Sequence, residues 1–310
     1  MKILVLGAGG IGGYYGARLI EAGADVTFVV REARRRQLAR DGLRVQSPLG
    51  SFAEAVHAVP AVHKRDDFDL VILACKAYDL QSAIDAIAPA LASGASVLPF
   101  INGIGVYDWL DGAFGRRRVL GGVAHIETGL FSDGVIRHLG SRDALTIGAR
   151  AAESADIAGD THALFARTPG ERHLSAVIDQ ALWDKWTLLA AGAAACCLMR
   201  GTLQDIHRTD NGRALLHQAF EECRRVTEAS GFVPGPDTLG SSIAFLMNPD
   251  SDWTASMMRD IAKNRPRIEA DAIVGDMVKQ AQRLGIPVPL LETAFAHLQV
   301  YMVRHFQHVQ

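Results

Sequence analysis

The chain has little of what would set it apart from an ordinary folded protein. Its four cysteines, Cys75, Cys196, Cys197 and Cys223, lack the paired spacing of a metal site. Two are adjacent inside an apolar run, which reads as small core side chains in a reducing compartment and excludes a disulfide scaffold. Long apolar runs are also missing: the longest, Leu188 to Met199, falls short of the roughly 20 residues a bilayer-spanning helix needs. Neither sign of charge dominates. With a formal net charge of −2 over 310 residues, no global field draws the chain to nucleic acid or membrane, and no basic cluster is extended or interleaved with aromatics. The first residues carry no positive leader or cleavage site, so we expect a cytoplasmic protein without a membrane or nucleic-acid partner. Repeats and low-complexity stretches are absent.

What is present begins at residue 1. An apolar strand, Ile3 to Leu6, runs directly into Gly7-Ala8-Gly9-Gly10-Ile11-Gly12, which opens a helical stretch to Ala22; Gly23 then precedes a second apolar strand, Asp25 to Val30. In this context Gly7 allows a tight turn, Gly9 lets backbone approach a pyrophosphate, and Gly12 lets the helix pack on the strand with its N-terminal amides facing the phosphates. The segment therefore predicts a dinucleotide site; the alternative is a tight turn and nothing more. The tip of the second strand carries Arg31 where an NAD site would place an acid, with Glu32 one residue beyond and Arg34, Arg35 and Arg36 within the next turn. Guanidinium groups match phosphate oxygens, so the cofactor expected is NADP(H), with Arg31 on its 2′-phosphate; the competing reading is a solvated basic helix face.

At 310 residues with 49% apolar composition, the chain has material for two cores. Strand and helix patterns alternate through the first half. Strands are expected at Leu43 to Gln46, Phe52 to Val59, Leu70 to Ala74, Ser96 to Ile101, Arg118 to Ala124, Val135 to Leu139 and Ala144 to Ile147, with a helix near Leu80 to Leu91. From Ser175 onward only helical periodicity remains: Leu182 to Met199, Asn211 to Ser230, Ser241 to Met247, and a long segment from Asp252 to Leu284. The expected architecture is an α/β N-terminal domain with a mostly parallel sheet, residues 1–168, and an all-α C-terminal domain, residues 169–310.

Ligands of open parallel sheets bind beyond the carboxyl ends of the strands. There the chain supplies Lys76, able to neutralise a phosphate or carboxylate, and Asn102-Gly103, able to orient an amide or hydroxyl; a surface lysine and a turn asparagine are the plain alternatives. In the second half Lys185 stands near the start of the most apolar helix, and the next charge along the chain is Arg200. Burial there would lower its pKa and make it a better proton donor, unless it snorkels to solvent or pairs with Asp184. Ser256 and Glu269 flank a polar stretch and read equally as site residues or solvated side chains. The tail histidines His297, His305 and His308 and the Cys196-Cys197 pair suggest no chemistry.

Taken in order, the glycine segment with Tyr14-Tyr15-Gly16, Lys76, Asn102-Gly103, Val135-Ile-Arg-His138-x-Gly140, Trp183-x-Lys185, Ser256-Met257-x-x-Asp260, Glu269 and Leu284-Gly-Ile-Pro-Val-Pro289 resemble the ketopantoate reductase (2-dehydropantoate 2-reductase) family over essentially the whole chain. The resemblance implies a Rossmann domain followed by a helical domain and NADPH-dependent reduction of a 2-keto acid, as in pantothenate biosynthesis. It makes Lys185 the general acid, Glu269 and Ser256 ligands of substrate hydroxyl or carboxylate groups, Asn102 a neighbour of nicotinamide and substrate, and Lys76 a neighbour of the cofactor. Family members usually carry asparagines four and eight residues after the lysine; here those positions are Leu189 and Ala193, and Trp253 stands where asparagine is common. Glu269 falls about one residue late. These departures leave open ketopantoate or a bulkier, less polar 2-keto acid. A related NAD(P)-dependent hydroxyacid dehydrogenase and a non-catalytic NADP-binding sensor are the other readings, and the apolar helical faces are compatible with a homodimer.

Overall fold

The computed structural model describes residues 1–64 and 66–306, except the side chain of Phe306; His308 lies outside the described residues. The chain divides into two compact units, Met1–Ile101 with Val106–Ala181, and Asn102–Gly105 with the chain from Leu182 onward.

The first unit opens with β1 (Lys2–Leu6), α1 (Gly10–Glu21), β2 (Asp25–Val29), α2 (Glu32–Asp41), β3 (Leu43–Gln46), β4 (Phe52–Glu54), β5 (His57–Val59), β6 (Leu70–Leu73), α3 (Leu80–Ala92) and β7 (Ser96–Pro99). Strands β5, β2, β1, β6 and β7 form, in that order, one wholly parallel sheet. A parallel sheet covered on both faces needs continuous apolar strands, and all four residues of β6 are buried. The chain continues through α4 (Gly105–Phe114), β8 (Gly121–Leu130), β9 (Val135–Gly148), α5 (Ala155–Phe165) and β10 (Glu171–Leu174). A second, mixed sheet runs β10, β9, β3, β4, with β8 antiparallel to β9.

Three sequence expectations change here. The stretch Phe52 to Val59 is two strands in different sheets, β4 against β3 and β5 against β2, because the chain crosses between sheets at Ala55 and Val56. Val135 to Leu139 and Ala144 to Ile147 are one strand, carried through its polar middle by pairing with β8, with Gly140 at φ +83° and a register shift between Ile126 and Thr128. The first unit also runs on past residue 168, since β10 pairs with β9.

Helix α1 is tied to the second sheet by a buried acid. Asp143 accepts bonds from the hydroxyls of Tyr14 and Tyr15, each at 2.9 Å, and from Arg172 on β10, Nη1 at 3.0 Å and Nη2 at 2.7 Å. A fully buried carboxylate is tolerable only when its charge and lone pairs are met in this way. His138 is structural too: its Nε2 lies 3.0 Å from the Arg142 carbonyl and its Nδ1 3.0 Å from Ser47 Oγ, so the ring donates through Nε2 and accepts from the serine hydroxyl.

The second unit is built from α6 (Ile178–Met199, this unit from Leu182), α7 (Leu203–His207), α8 (Gly212–Ala229), α9 (Pro236–Leu246), α10 (Ser256–Ala262), α11 (Asp276–Leu284) and α12 (Pro289–Phe306). Among the described residues no helix is long and apolar enough to cross a membrane. The buried alanines and cysteines of α6 meet a core that includes Leu216, Phe220, Met277 and Leu298. Burial pushes the Cys196 thiol up to about 11, so it stays protonated at neutral pH. The start of α12 rests on another buried acid, Glu222, which accepts the backbone N–H groups of Leu290 at 3.2 Å and Leu291 at 2.9 Å. The long helical segment expected from Asp252 to Leu284 is interrupted. Asn264, at φ +52°, closes α10 with Arg265 N–H on the Asp260 carbonyl at 3.0 Å, and Pro266 cannot continue a helix.

Replacing Asp143 by Ala strands a buried guanidinium and two buried hydroxyls, so we expect a loss of about 3–5 kcal/mol in denaturant unfolding. An unchanged midpoint would show that the network contributes nothing net.

Candidate functional site

The first unit holds the glycine turn. Gly7 sits at φ +96°, a backbone region that suits glycine, and its N–H reaches the Val29 carbonyl at 3.0 Å, so the turn is hung from β2 as it leaves β1. A Cβ on Gly12 would lie 2.1 Å from the Gly7 carbonyl oxygen and 3.0 Å from Ala74 Cβ, which makes glycine obligatory for helix and turn to approach this closely. Around Gly9 the situation is reversed: an added Cβ would meet nothing within 4 Å. Gly9 caps α1 with no side-chain bond, and the first turn holds no acidic residue, so the free amides face open space without a negative charge of the protein's own. An anionic group such as a pyrophosphate would fit this space. Ala8 is buried, and Gly10 presses on Thr128 of β8, where a Cβ would lie 2.9 Å from Oγ1.

The arginines around α2 differ in role. Arg31 is 86% exposed, with Nη2 3.2 Å from Asp79. Arg35 and Arg36 both lie against Glu32. Arg34 turns inward, donating from Nε to the Ala8 carbonyl at 3.1 Å and from Nη1 to Gln37 at 2.7 Å and the Gly134 carbonyl at 3.2 Å. Arg34 is thus a brace of the glycine turn, which residue order alone did not distinguish from its neighbours. Lys76, half-buried, follows β6 in the same unit, immediately before a single turn at Ala77–Asp79.

The second unit gathers Lys185, Glu269 and Asn102 around a five-residue π-helical turn, Asp271–Gly275. Glu269, 4% exposed, lies just before the turn, and its carbonyl accepts the N–H of Ile273 at 3.1 Å. The Ile273 carbonyl in turn accepts the indole N–H of Trp186 at 3.0 Å, one residue after Lys185 on α6. Asn102 opens a short turn on which Gly103, at φ +95°, comes so near the Ala272 carbonyl that a Cβ would lie 2.4 Å away. The side chain of Lys185 is half-buried and its ammonium is desolvated. Desolvation lowers its pKa to about 8, against the opposing pull of the Glu269 charge. Such a group is a proton donor near neutral pH.

Further along α6, Gly192 leaves room for the Trp253 ring, two of whose carbons would lie 2.9 Å from a Cβ there, and Phe245 meets Trp253 edge-on at 5.2 Å. Ala193 is fully buried and Leu189 lines the same core. Ser256 is half-buried at the first position of α10. Trp186 was missed by sequence reasoning, since a tryptophan in an apolar helix carries no sign of its polar bond.

Gly9→Ala should leave thermal stability unchanged, because the methyl meets no protein atom, while weakening NADPH binding by about tenfold or more through steric intrusion on the pyrophosphate. A titration by ligand fluorescence checks this; undiminished binding would remove the turn from the site.

Comparison with known proteins follows the same division. The family model described as Ketopantoate reductase PanE/ApbA matches residues 3–152, and that described as Ketopantoate reductase PanE/ApbA C terminal matches residues 177–302. The chain is 33% identical to the uncharacterized oxidoreductase YkpB of Bacillus subtilis, over 97% of this chain and 99% of that one. It is 28% identical to a 2-dehydropantoate 2-reductase of Mesorhizobium japonicum, over 96% of each. A solved PanE/ApbA family ketopantoate reductase from Ralstonia eutropha superposes with a TM-score of 0.87 at 28% identity, over 98% of this chain and 99% of the other.

Proposed function

The chain belongs to the ketopantoate reductase family, and on that premise we propose that it reduces a 2-keto acid to the 2-hydroxy acid with NADPH, Lys185 supplying the proton. The observation that carries this reading is the desolvated ammonium of Lys185, its pKa near 8, beside buried Glu269. When bound, NADPH would supply the hydride that adds to the carbonyl carbon. As negative charge builds on the carbonyl oxygen, a cation held in a dry environment stabilises the transition state more than the ground state. Lys185 then gives its proton to that oxygen. Asn102 and Ser256 orient the substrate's polar groups as hydrogen-bond donors, and Glu269, acceptor only when ionised, suits a hydroxyl.

For the cofactor, the residues Gly7, Ala8, Gly9, Gly10, Ile11 and Gly12 form the pyrophosphate cradle, Arg31 offers an exposed guanidinium to the 2′-phosphate, and Lys76 offers a second cation. The substrate is 2-dehydropantoate or an analogue with a less polar substituent. In favour of the latter, Leu189, Ala193 and Trp253 present no hydrogen-bonding amide along this part of α6 and its neighbour.

The decisive assay is NADPH oxidation by the purified protein across 2-keto acids, 2-dehydropantoate beside branched and aromatic analogues, with NADH as control. Turnover is expected with NADPH; none with any 2-keto acid defeats the reading. Lys185→Ala should lower kcat by about 10²–10⁴-fold while NADPH binding survives. Because only the protonated ammonium donates, the rate of reduction should hold below the Lys185 pKa and fall as pH rises through about 8. A rate that climbs through that range would exclude Lys185 as the acid.

A further inference from the structure

We infer that Trp186 is a positioning residue for Lys185 and Glu269, holding the π-helical turn in place on α6 through its bond to the Ile273 carbonyl. The inference rests on the reading of Lys185 as the acid.

The connection is a single relay of hydrogen bonds. Ile273 is held at both ends, its N–H by the Glu269 carbonyl at 3.1 Å and its carbonyl by the Trp186 indole at 3.0 Å. One residue therefore links the backbone of the buried acid to the neighbour of the lysine. Trp186 is itself immobilised: it is 3% exposed and meets Trp183 edge-on at 5.2 Å, while Trp183 stacks on Phe232 at 4.9 Å. A rigid donor of this kind is what a precise placement needs. Phenylalanine or leucine at this buried position would keep apolar contact at the cost of some volume, but of the three only tryptophan can donate to the Ile273 carbonyl.

π-Helical backbone is rare and tends to occur as single turns at functional sites. This one carries Glu269 just ahead of it and brings the Ala272 carbonyl against Gly103, next to Asn102. A shift of the turn would displace Glu269 from its present relation to Lys185. The charge acting on the Lys185 ammonium is that of Glu269 from the turn segment, and Asp184 adjoins it on its own helix.

The test is Trp186→Phe, which keeps an aromatic ring and removes the donor. In protein labelled at lysine Cε with carbon-13, the Lys185 resonance, assigned by its loss in Lys185→Met, reports the titration of the ammonium directly by NMR. The midpoint in the variant is expected to fall by about half a pH unit or more as Glu269 recedes, and kcat to fall by about tenfold with KM for NADPH unchanged. Trp186→His, which restores a ring N–H, is expected to move both back toward wild type, and it serves as the second probe if the phenylalanine variant folds poorly. A folded Trp186→Phe protein with wild-type midpoint and kcat, whatever its melting temperature, overturns the inference and leaves Trp186 as packing. If the midpoint shifts but the wild-type protein reduces no 2-keto acid, the coupling stands and the functional reading is what fails.

Discussion

Helix α1 can start where it does only because residue 12 has no side chain. With Gly7 and Gly12 in near contact, the helix comes down flush on β1, and its next glycines repeat the constraint: a Cβ on Gly13 would strike Ile136 at 2.2 Å and one on Gly16 would strike Phe28 at 2.4 Å. Ile136 belongs to the second sheet and Phe28 to the first, so this one helix is the common surface of both. The polar anchors follow from that closeness. Tyr14 and Tyr15 can reach Asp143 because nothing bulkier than hydrogen separates the helix from its neighbours, and Asp143 can be buried because Arg172 pairs with its carboxylate there. The proposed dinucleotide binding would use the same geometry, since a helix seated this low delivers its first amides to the turn at Gly9.

The second unit works on an opposite principle. Where the first brings backbone close by removing side chains, the second isolates a charge by surrounding it with them. Burial on α6 deprives the Lys185 ammonium of water, and the downward shift in its pKa is the consequence. Glu269 keeps the shift moderate. In the proposed site the π-helical turn, the Asn102–Gly103 turn and Trp186 supply irregular backbone supported by regular helices, a division common in enzymes.

Much of this was legible beforehand. The alternation of strands and helices, the glycine spacing and the change to helical periodicity are local signals, set by side-chain volume and period, and they located β1, α1, β2, β6 and α6 closely. Other features were hidden for definable reasons. Phe52 to Val59 reads as one apolar strand because pattern records burial and not the sheet in which a residue is buried. The polar middle of β9 reads as a gap because Asp143 finds its partners, Tyr14, Tyr15 and Arg172, far along the chain. Arg34 could not be told from Arg35 and Arg36, since three consecutive guanidinium groups differ only in where the helix points them.

By itself the sequence determined the two-part architecture, the glycine cradle and the small set of candidate groups, Lys76, Asn102, Lys185, Ser256 and Glu269, because composition and spacing constrain what each segment can bury or bend around. Tertiary structure alone decided which of these act on one another. The proximity of Glu269 to Lys185, the seating of Trp253 on Gly192 and the bond from Trp186 to Ile273 join residues dozens of positions apart. Desolvation and hydrogen bonding depend on distance in space, which a linear pattern does not encode.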